Sequence, residues 1–194
     1  MTETLSDPER PLRADARRNR ERILESARAV FAEFGADAQM DDVARQARVG
    51  VGTVYRHFPT KEALLVELLR EKFQLFGMRA REALEQDGGE PFAILEGLLR
   101  RNAETMASDA AIQQALAGAG EHIWTQAEVE QQEVLRVTGE LIERARRART
   151  IRPDVEATDI GMLMCGLCST MGRRVPGFDW RRHLDLVIDM LRVS

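Results

Sequence analysis

Apolar residues recur three and four positions apart along most of the chain, which is the spacing of α-helices with one buried face. No stretch shows the alternation of apolar and polar residues that predicts a strand, and no internal repeat is visible. The pattern therefore predicts an all-α protein. The helical segments follow in order: 15–34, two short segments within 35–61, 61–84, 91–106, 110–120, a long segment through 134–148, 160–172 and 180–191.

The segment 35–61 has the pattern of two short helices joined by a tight turn. Each helix has one apolar face, formed by Val43, Ala44 and Ala47 in the first and by Val54 and Phe58 in the second. Residues 48–52 are too few and too rich in glycine to continue a helix, but they can connect two steeply crossing helices. If Val54 and Phe58 point inward, the opposite face of the second helix carries Thr53, Arg56 and His57, with Tyr55 at its flank.

Charge is distributed unevenly, and this changes the functional picture. The net charge is −4, which taken alone disfavours nucleic acid as a partner. Residues 1–61, however, hold 11 basic and 10 acidic side chains, whereas 62–194 hold 17 and 22. Between residues 44 and 61 there are four cations and no Asp or Glu. A local basic face on an acidic protein suits phosphate binding, because neutralised phosphates release condensed counterions.

The same residues carry a family motif: Val43-Ala44, Ala47-Arg48-Val49-Gly50, Gly52-Thr53-Val54-Tyr55-Arg56-His57-Phe58 and Lys61. In order and spacing this resembles the DNA-binding half of the TetR family of transcriptional regulators. The match covers about a third of the chain. Two departures stand in the turn, where Arg48 replaces the family glycine and Gly50 replaces the family serine. A non-glycine residue costs about 1 kcal/mol at a position that needs positive φ.

The resemblance implies a recognition helix over 51–58 that enters the major groove of DNA. Arg56 is the candidate for guanine, while Val51 and Thr53 can meet a thymine methyl group. Basic and polar residues around them are candidates for phosphate contact. The full set of predicted DNA-binding residues is Arg17, Arg18, Gln39, Arg48, Gly50, Val51, Gly52, Thr53, Tyr55, Arg56, His57 and Lys61. For Arg17 and Arg18 a merely solvated helix face is the alternative.

Three regions are predicted: a flexible arm with basic residues over 1–14, a helix-turn-helix domain over 15–61, and a helical regulatory and dimerisation domain over 62–194 that begins with a long connecting helix. The chain shows no secretory signal, and its longest uncharged stretch, 160–172, is 13 residues, whereas a spanning helix needs roughly 18. We therefore expect a cytoplasmic protein without a membrane partner. Two cysteines do not form a disulfide framework.

Candidates for lining a small-molecule cavity in the regulatory half are His122 and Trp124, with Met106 and Met162. An aromatic body with a polar edge suits an amphipathic ligand. The alternative is ordinary core or surface packing. The three histidines are far apart and no catalytic motif is present, so we predict neither a metal site nor a cofactor.

The last two helices each have enough apolar surface for a self-complementary interface. In the resembled family these helices form a four-helix dimer interface. The predicted interface residues are Gly161, Cys165, Cys168 and Gly172, a stripe of small side chains that allows close helix approach, and Trp180, Leu184, Val187 and Leu191. Cys165 and Cys168 also form a C-x-x-C motif, for which we favour packing over a redox or metal role, because the motif lies in an apolar helix.

Three hypotheses follow. The first is a ligand-responsive homodimeric repressor of a near-palindromic operator. The second is a small-molecule or thiol-sensing module whose operator binding has become weak or has been lost. This hypothesis is based on the turn residues Arg48 and Gly50. The third is an enzyme that uses the acidic helical domain. The resemblance favours the first.

Overall fold

A computed structural model of the protein describes the backbone of residues 9–171 and 175–193, with side chains from residue 15 onward except 111 and 117. Within these ranges the fold is all-α, as predicted. The helices are α1 (Glu9–Phe34), α2 (Met40–Ala47), α3 (Val51–His57), α4 (Lys61–Leu84), α5 (Pro91–Ser108), α6 (Ala110–Gly118), α7 (His122–Gln126), α8 (Glu128–Arg147), α9 (Ala157–Met171) and α10 (Trp180–Leu191).

The first helix begins earlier than the sequence pattern predicted. It starts at Glu9, so residues 9–14 of the expected arm are helical, while residues 1–8 lie outside the described range. Pro11 does not prevent this, because it stands in the first turn, where backbone N–H groups have no intrahelical acceptor. At the other end Gly35 takes a φ of +56° and starts a short 3-10 turn, Gly35–Asp37, that leads to α2.

The predicted starts of α4 at Lys61 and of α5 at Pro91 are confirmed, and each start has a local cause. The Thr60 hydroxyl accepts a hydrogen bond of 3.1 Å from the Ala63 N–H at the start of α4. Both carboxylate oxygens of Glu90 accept bonds of 2.8 Å from backbone N–H groups of α5, and Pro91 is its first residue. Caps of this kind stabilise a helix terminus by about 1 kcal/mol.

Two clusters of buried residues form the core, and α4 contributes to both. The first joins α1, α2 and α3 to the first half of α4, and it also includes residues of α6 and α7. The second joins the end of α4 to α5, α8, α9 and α10. Helices α6 and α7 therefore pack with the DNA-binding unit although they follow it by 50 residues or more in sequence. The division at residue 61 stays a prediction.

Polar residues interrupt the apolar pattern of every long helix. In the part of the chain with assigned structure, no helix is long and apolar enough to cross a membrane. Near the end of the chain one isolated antiparallel bridge pairs Ile151 with Arg192, and the Arg152 N–H donates to the Leu191 carbonyl at 2.9 Å. This bridge fixes the end of α10 beside the segment after α8.

Candidate nucleic-acid interface

Arg48 closes the turn between α2 and α3 in the left-handed conformation, with φ 53° and ψ 45°. Its N–H bonds to the Arg45 carbonyl at 3.2 Å, and the Val49 N–H bonds to the Ala44 carbonyl at 3.1 Å. These two bonds define a Schellman motif, whose left-handed position is usually glycine. Val49 packs against the core beneath the turn. The turn thus forms with arginine in place of the family glycine, and the Arg48 side chain is exposed at its surface.

The recognition helix α3 has one buried and one exposed side, as predicted. Val54 and Phe58 are both buried. Phe58 is the C-cap residue of α3, one position after its last helical residue. Tyr55 and Arg56 are exposed, and Val51 has 41% of its surface free at the first turn. Gly52 is also exposed, while Thr53 and His57 are half-buried at the edges of this face.

Gly50 precedes α3 with φ −66° and ψ 143°, which any residue can adopt. A Cβ atom added there would meet no atom within 4 Å. The helix therefore starts without a side-chain cap, although its backbone has room for one. The turn therefore has room for the serine that the family carries at this position.

A shallow depression lies beside the recognition helix, between the starts of α2 and α4. Gln39, Tyr55 and Lys61 line it, together with Thr60. Gln39 does not cap α2, and its amide instead donates to the Asp37 carbonyl at 2.8 Å. The Lys61 ammonium donates to the Ala36 carbonyl at 2.6 Å, which leaves two of its three protons for other acceptors. Three predicted phosphate contacts thus come together.

The arginines at the start of α1 divide into two groups. Arg17 and Arg18 are exposed and, among the residues whose side chains are described, pair with acids of their own helix, Glu21 and Asp15. Such surface pairs contribute little, so both side chains can turn to another anion. Arg20 points inward, pairs with Glu67 of α4 at 2.6 Å and lies over the Phe58 ring. Arg20 therefore connects α1 to α4 and to Phe58 at the end of α3.

Arg45 is an exposed cation that the sequence analysis counted but did not assign to the interface. Its side chain is 77% exposed on α2, where it pairs with Asp42 at 2.9 Å. Asp41 and Asp42 lie in the first turn of α2, where the helix dipole favours carboxylates. The signal for Arg45 was its place on the polar face of the helix before the turn.

Comparison with known proteins agrees with this geometry. Residues 23–68 match the family described as "Bacterial regulatory proteins, tetR family", and residues 90–193 match "Transcriptional regulator SbtR-like, C-terminal domain". A TetR regulator of known structure from Mycobacterium vanbaalenii is 37% identical, with 94% of this chain and 100% of that chain covered and a TM-score of 0.67. The chain belongs to the TetR family. It is a DNA-binding transcriptional regulator of the helix-turn-helix type.

Two more distant proteins are similar to the chain over most of its length. The transcriptional repressor KstR of Mycolicibacterium smegmatis is 28% identical over an alignment of 197 positions, which covers 98% of this chain and 96% of that protein. The regulator FadR of Bacillus subtilis, solved in complex with stearoyl-CoA, has a TM-score of 0.69 at 20% identity, with 88% and 98% of the two chains covered. At that identity the FadR likeness shows the fold alone.

In this TetR-family protein the four predicted ligand residues differ in exposure. Met106 is buried on α5, whereas Met162 is 65% exposed on α9. His122 is exposed on α7, and Trp124 is half-buried with its ring 6.4 Å from that of Phe73. Their place in a ligand cavity stays a prediction, because helical spacing indicates that a side chain lies on a face, but it does not show which faces meet.

The cavity within the C-terminal half lies elsewhere, between α1, α4, α5 and α6. It has a volume of about 70 Å³, and Lys72, Thr105 and Asp109 are among the residues that line it. Sequence reasoning missed this site. The signal was Lys72 itself, which follows Leu65 and Leu69 in the apolar spacing of α4 and is a charged residue at a core position.

Much of the predicted dimer surface is internal to the protomer. Leu184, Val187 and Leu191 are buried within the chain itself, and Trp180 is half-buried against the same core. Gly161 faces Leu135 of α8, since a methyl group added to its Cα would lie 3.6 Å from the Leu135 side chain. The dimer interface itself stays a prediction. Spacing did not predict this burial, because each helix has two apolar faces and spacing alone does not tell which one turns inward. Gly172 lies outside the described residues.

The exposed side of the last two helices carries other apolar residues. Met162 on α9 and Leu186 and Met190 on α10 are 65%, 47% and 57% exposed. Of the predicted interface residues, Cys165 is exposed and Cys168 is half-buried. Burial raises the pKa of Cys168 to about 11, so its sulfur is a thiol at neutral pH. This argues against reactive thiolate chemistry at Cys168.

Proposed function

We propose that this TetR-family protein is a homodimeric repressor that binds a near-palindromic operator and releases it when a small ligand binds in the C-terminal half. The observation that carries the proposal is the exposed face of α3, where Arg56, Tyr55 and Val51 are free to contact DNA. KstR, a relative over nearly the whole chain, is named a repressor. FadR was solved with stearoyl-CoA, which supports a small-molecule effector for a chain of this fold.

The DNA contacts divide into two kinds. Arg56 is the candidate for guanine O6 and N7, because its guanidinium forms the bidentate pair that specifies this base. The depression lined by Gln39, Tyr55 and Lys61 is the candidate phosphate surface, and the exposed Arg17, Arg18 and Arg48 are further candidates for phosphate contact. Two-fold symmetry of the dimer then predicts half-sites about one helical turn apart.

We further propose that the dimer forms through the exposed side of α9 and α10. Met162, Leu186 and Met190 give two adjacent helices an apolar surface in contact with water. A second copy of the chain is the occupant that two-fold operator recognition requires. Exposed apolar patches of this kind mark interaction surfaces.

Two sets of contacts support coupling between the halves. Helix α4 begins at Lys61, beside the depression, and extends into the second core. Helix α6 contacts α1 and the Gly35–Asp37 turn, and the Ala36 carbonyl in this turn holds the Lys61 ammonium. A ligand that shifts α4 or α6 would therefore displace groups at the DNA surface, which is a population shift between two states.

The test is binding of the purified protein to the DNA that flanks its own gene, measured by fluorescence anisotropy at two salt concentrations. We expect tight binding to one near-palindromic site, weakened by salt. The double variant Tyr55→Ala/Arg56→Ala should weaken binding by about 100-fold, since a bidentate base contact contributes about 1–3 kcal/mol and a phosphate contact adds to it.

Arg147→Ala is the matched control, because it removes one exposed cation from α8, far along the chain from the motif. It should bind the operator like the unmodified protein. Equal and weak binding of all three proteins to these sequences and to selected random DNA would contradict the proposal and favour a sensor that has lost operator binding. Restoring the family residues with Arg48→Gly/Gly50→Ser would then create strong binding.

A further inference from the structure

Lys72 carries a positive charge in the interior of the C-terminal half. It lies on the fourth turn of α4 and has 8% of its surface exposed. Its Nζ atom has no hydrogen-bond acceptor among the described residues. Asp109 Oδ2 is 3.4 Å away, close enough for an ion pair but not in hydrogen-bonding geometry. A buried ammonium whose protons have no acceptor lowers the stability of the fold unless a further acceptor binds to it.

A second cation continues the same side of α4. Arg79 follows Lys72 by two turns, and its Nη1 donates to the Arg101 carbonyl at 3.2 Å, to Asn102 Oδ1 at 3.3 Å and to Thr105 Oγ1 at 2.9 Å. All three acceptors are neutral. The contact between α4 and α5 is thus a polar seam, which we define as Lys72, Arg79, Asn102, Thr105 and Asp109.

The cavity of about 70 Å³ opens beside this seam. Three apolar side chains, Leu68, Leu75 and Ile112, form one part of its wall. Its volume has room for about two water molecules, which is the size of a head group rather than of a whole lipid. The cavity is therefore a site with a polar end and an apolar side, as small-ligand sites commonly are.

One cation at the cavity is available to an anion. Two cations, Arg28 and Lys72, and two carboxylates, Glu71 and Asp109, line the cavity. Glu71 is already paired with Arg28 of α1. Among the described residues that line this space, Lys72 is the cation whose ammonium has no hydrogen-bond partner. Burial lowers the pKa of Lys72, with the Asp109 charge as the main opposing influence, which is the response of an incompletely neutralised ammonium.

We propose that this cavity receives the carboxylate group of an organic acid, which pairs with Lys72 while the adjoining apolar part of the acid lies against Leu68, Leu75 and Ile112. This inference rests on the proposed function, since it names the chemical class of the effector. The incoming carboxylate takes the place that Asp109 occupies beside Lys72. Asp109 is the residue before α6, and its carbonyl accepts the Gln113 N–H at 3.1 Å. The exchange therefore acts on the start of the helix that contacts the DNA-binding unit.

The test uses intrinsic fluorescence, because one of the two tryptophans lies close to the site. Trp124 packs against Phe73, the residue after Lys72. In a Trp180→Phe background Trp124 is the single tryptophan. The probes are straight-chain carboxylates from butyrate to decanoate, each beside the alcohol and the amine of the same length, and inorganic phosphate. Fluorescence titration and the thermal midpoint are measured without DNA.

We expect carboxylates to bind at least about 10-fold more tightly than the matched alcohols and amines, because only the carboxylate forms a charge-assisted hydrogen bond with the Lys72 ammonium. Phosphate should bind more weakly than the best carboxylate, because it leaves the apolar wall without a partner. Equal binding of carboxylate and alcohol at every chain length would overturn the proposal, and this is the result expected if the cavity holds only ordered water. Phosphate as tight as the best carboxylate would overturn the assignment of the apolar part.

Variants of the seam should change carboxylate affinity in opposite directions. Lys72→Met keeps an unbranched side chain of similar length, and we expect it to lose at least about 10-fold in affinity. Asp109→Asn removes the competing carboxylate and should tighten binding. Arg147→Met is the control for loss of one cation, since Arg147 is exposed on α8. If Lys72→Met does not fold, Asp109→Asn still decides the matter, because unchanged or weaker binding in that variant contradicts the proposal.

The outcome is separate from that of the operator experiment. Carboxylate binding that depends on Lys72, in a protein that binds no DNA, would remove the repressor function and leave the site in place. Operator binding without any preference for carboxylates would leave the repressor and remove this site. Release of operator DNA by the best carboxylate, lost in Lys72→Met, would join the two proposals.

Discussion

The two halves of this TetR-family protein place their charged and apolar side chains in opposite ways. The N-terminal unit exposes cations such as Arg45 and Arg56 and buries most of its apolar residues. The C-terminal half buries Lys72 and exposes Met162, Leu186 and Met190. The first arrangement is ordinary for a surface that meets a polyanion. The second is unfavourable for an isolated protomer in water, which agrees with the proposal that a second copy and a ligand complete it.

The largest test of this contrast places charge on the exposed apolar side of α10. The double variant Leu186→Glu/Met190→Glu should convert the dimer to a monomer, because carboxylates cannot be buried there without a partner. Operator affinity should fall by about 100-fold or more, since one protomer loses the effective concentration that its partner provides. Light scattering coupled to gel filtration measures the mass.

Val129→Glu is the control for the α10 variant. Val129 is 79% exposed on α8, so the new carboxylate stays in water. This protein should remain dimeric and bind DNA normally. A double variant that elutes with the mass of a dimer would move the interface away from α10.

The second-largest effect is expected from replacing the buried cation Lys72. Lys72→Met should raise the free energy of unfolding at neutral pH by about 1 kcal/mol, because a hydrophobic residue replaces an ion that is incompletely paired. The Asp109 side chain that remains is 25% exposed, so water can still solvate it. Denaturant unfolding measures the difference. A loss of several kcal/mol would instead show that the Lys72–Asp109 pair stabilises the fold.

The same pair of proteins should differ in pH dependence. The pKa of Lys72 in the folded chain is lowered from 10.5, so between the two values the unfolded chain holds one more proton. Stability of the unmodified protein relative to Lys72→Met should therefore rise with pH in that window, and the penalty should be complete below it. Denaturant unfolding of the two proteins across this pH range measures the difference, and a constant difference would contradict a buried charge. The titratable and charged groups beside Lys72, present in both proteins, are Arg28, Glu71, Asp109 and Cys168.

A smaller effect comes from two arginines that end helices in the same way, one in each half. Arg48 and Arg149 have φ of 53° and 57°. Arg149 also belongs to a Schellman motif, with its N–H 3.0 Å from the Arg146 carbonyl and the Thr150 N–H 3.0 Å from the Ala145 carbonyl. Each change to glycine should raise the free energy of unfolding by roughly 0.5 kcal/mol, since relief of left-handed strain exceeds the entropy cost of glycine.

We expect the two arginines to differ in their effect on DNA binding. If Arg48 contacts a phosphate, Arg48→Gly should weaken operator binding several-fold and reduce its salt dependence by about one ion. Arg149→Gly should change neither quantity, and it is therefore the matched control. Equal DNA binding by both variants would remove Arg48 from the interface.

The smallest expected effect is at the start of α3. Gly50→Ser adds a side chain where there is open space and extended backbone. The new hydroxyl can cap the helix, and we expect a gain of a few tenths of a kcal/mol in the free energy of unfolding, because glycine is itself an acceptable cap residue. Thermal unfolding detects the gain. A decrease would mean that the serine hydroxyl does not reach the N–H groups of α3.

The sequence alone determined the helical class, most helix boundaries and the identity of the DNA-binding unit. These features depend on contacts between residues close in sequence: the Thr60 cap, the Pro91 start, the inward pair Val54 and Phe58, and the turn around Arg48. Because local spacing sets helix faces and caps, a motif of about 20 residues contains the information for the exposed side of α3. The start of α1 at Glu9 was missed because a proline in the first helical turn is not a stop signal.

The tertiary structure alone decided what the C-terminal half encloses and what it exposes. Leu184 and Leu186 lie two positions apart and are equally apolar, yet one is buried and the other is exposed, because the approach of α5 and α9 selects the inward face. Lys72 and Asp109 are 37 residues apart and become neighbours only when α4 packs beside the junction of α5 and α6. Burial and ion pairing between distant segments are properties of helix packing, and no local spacing records them.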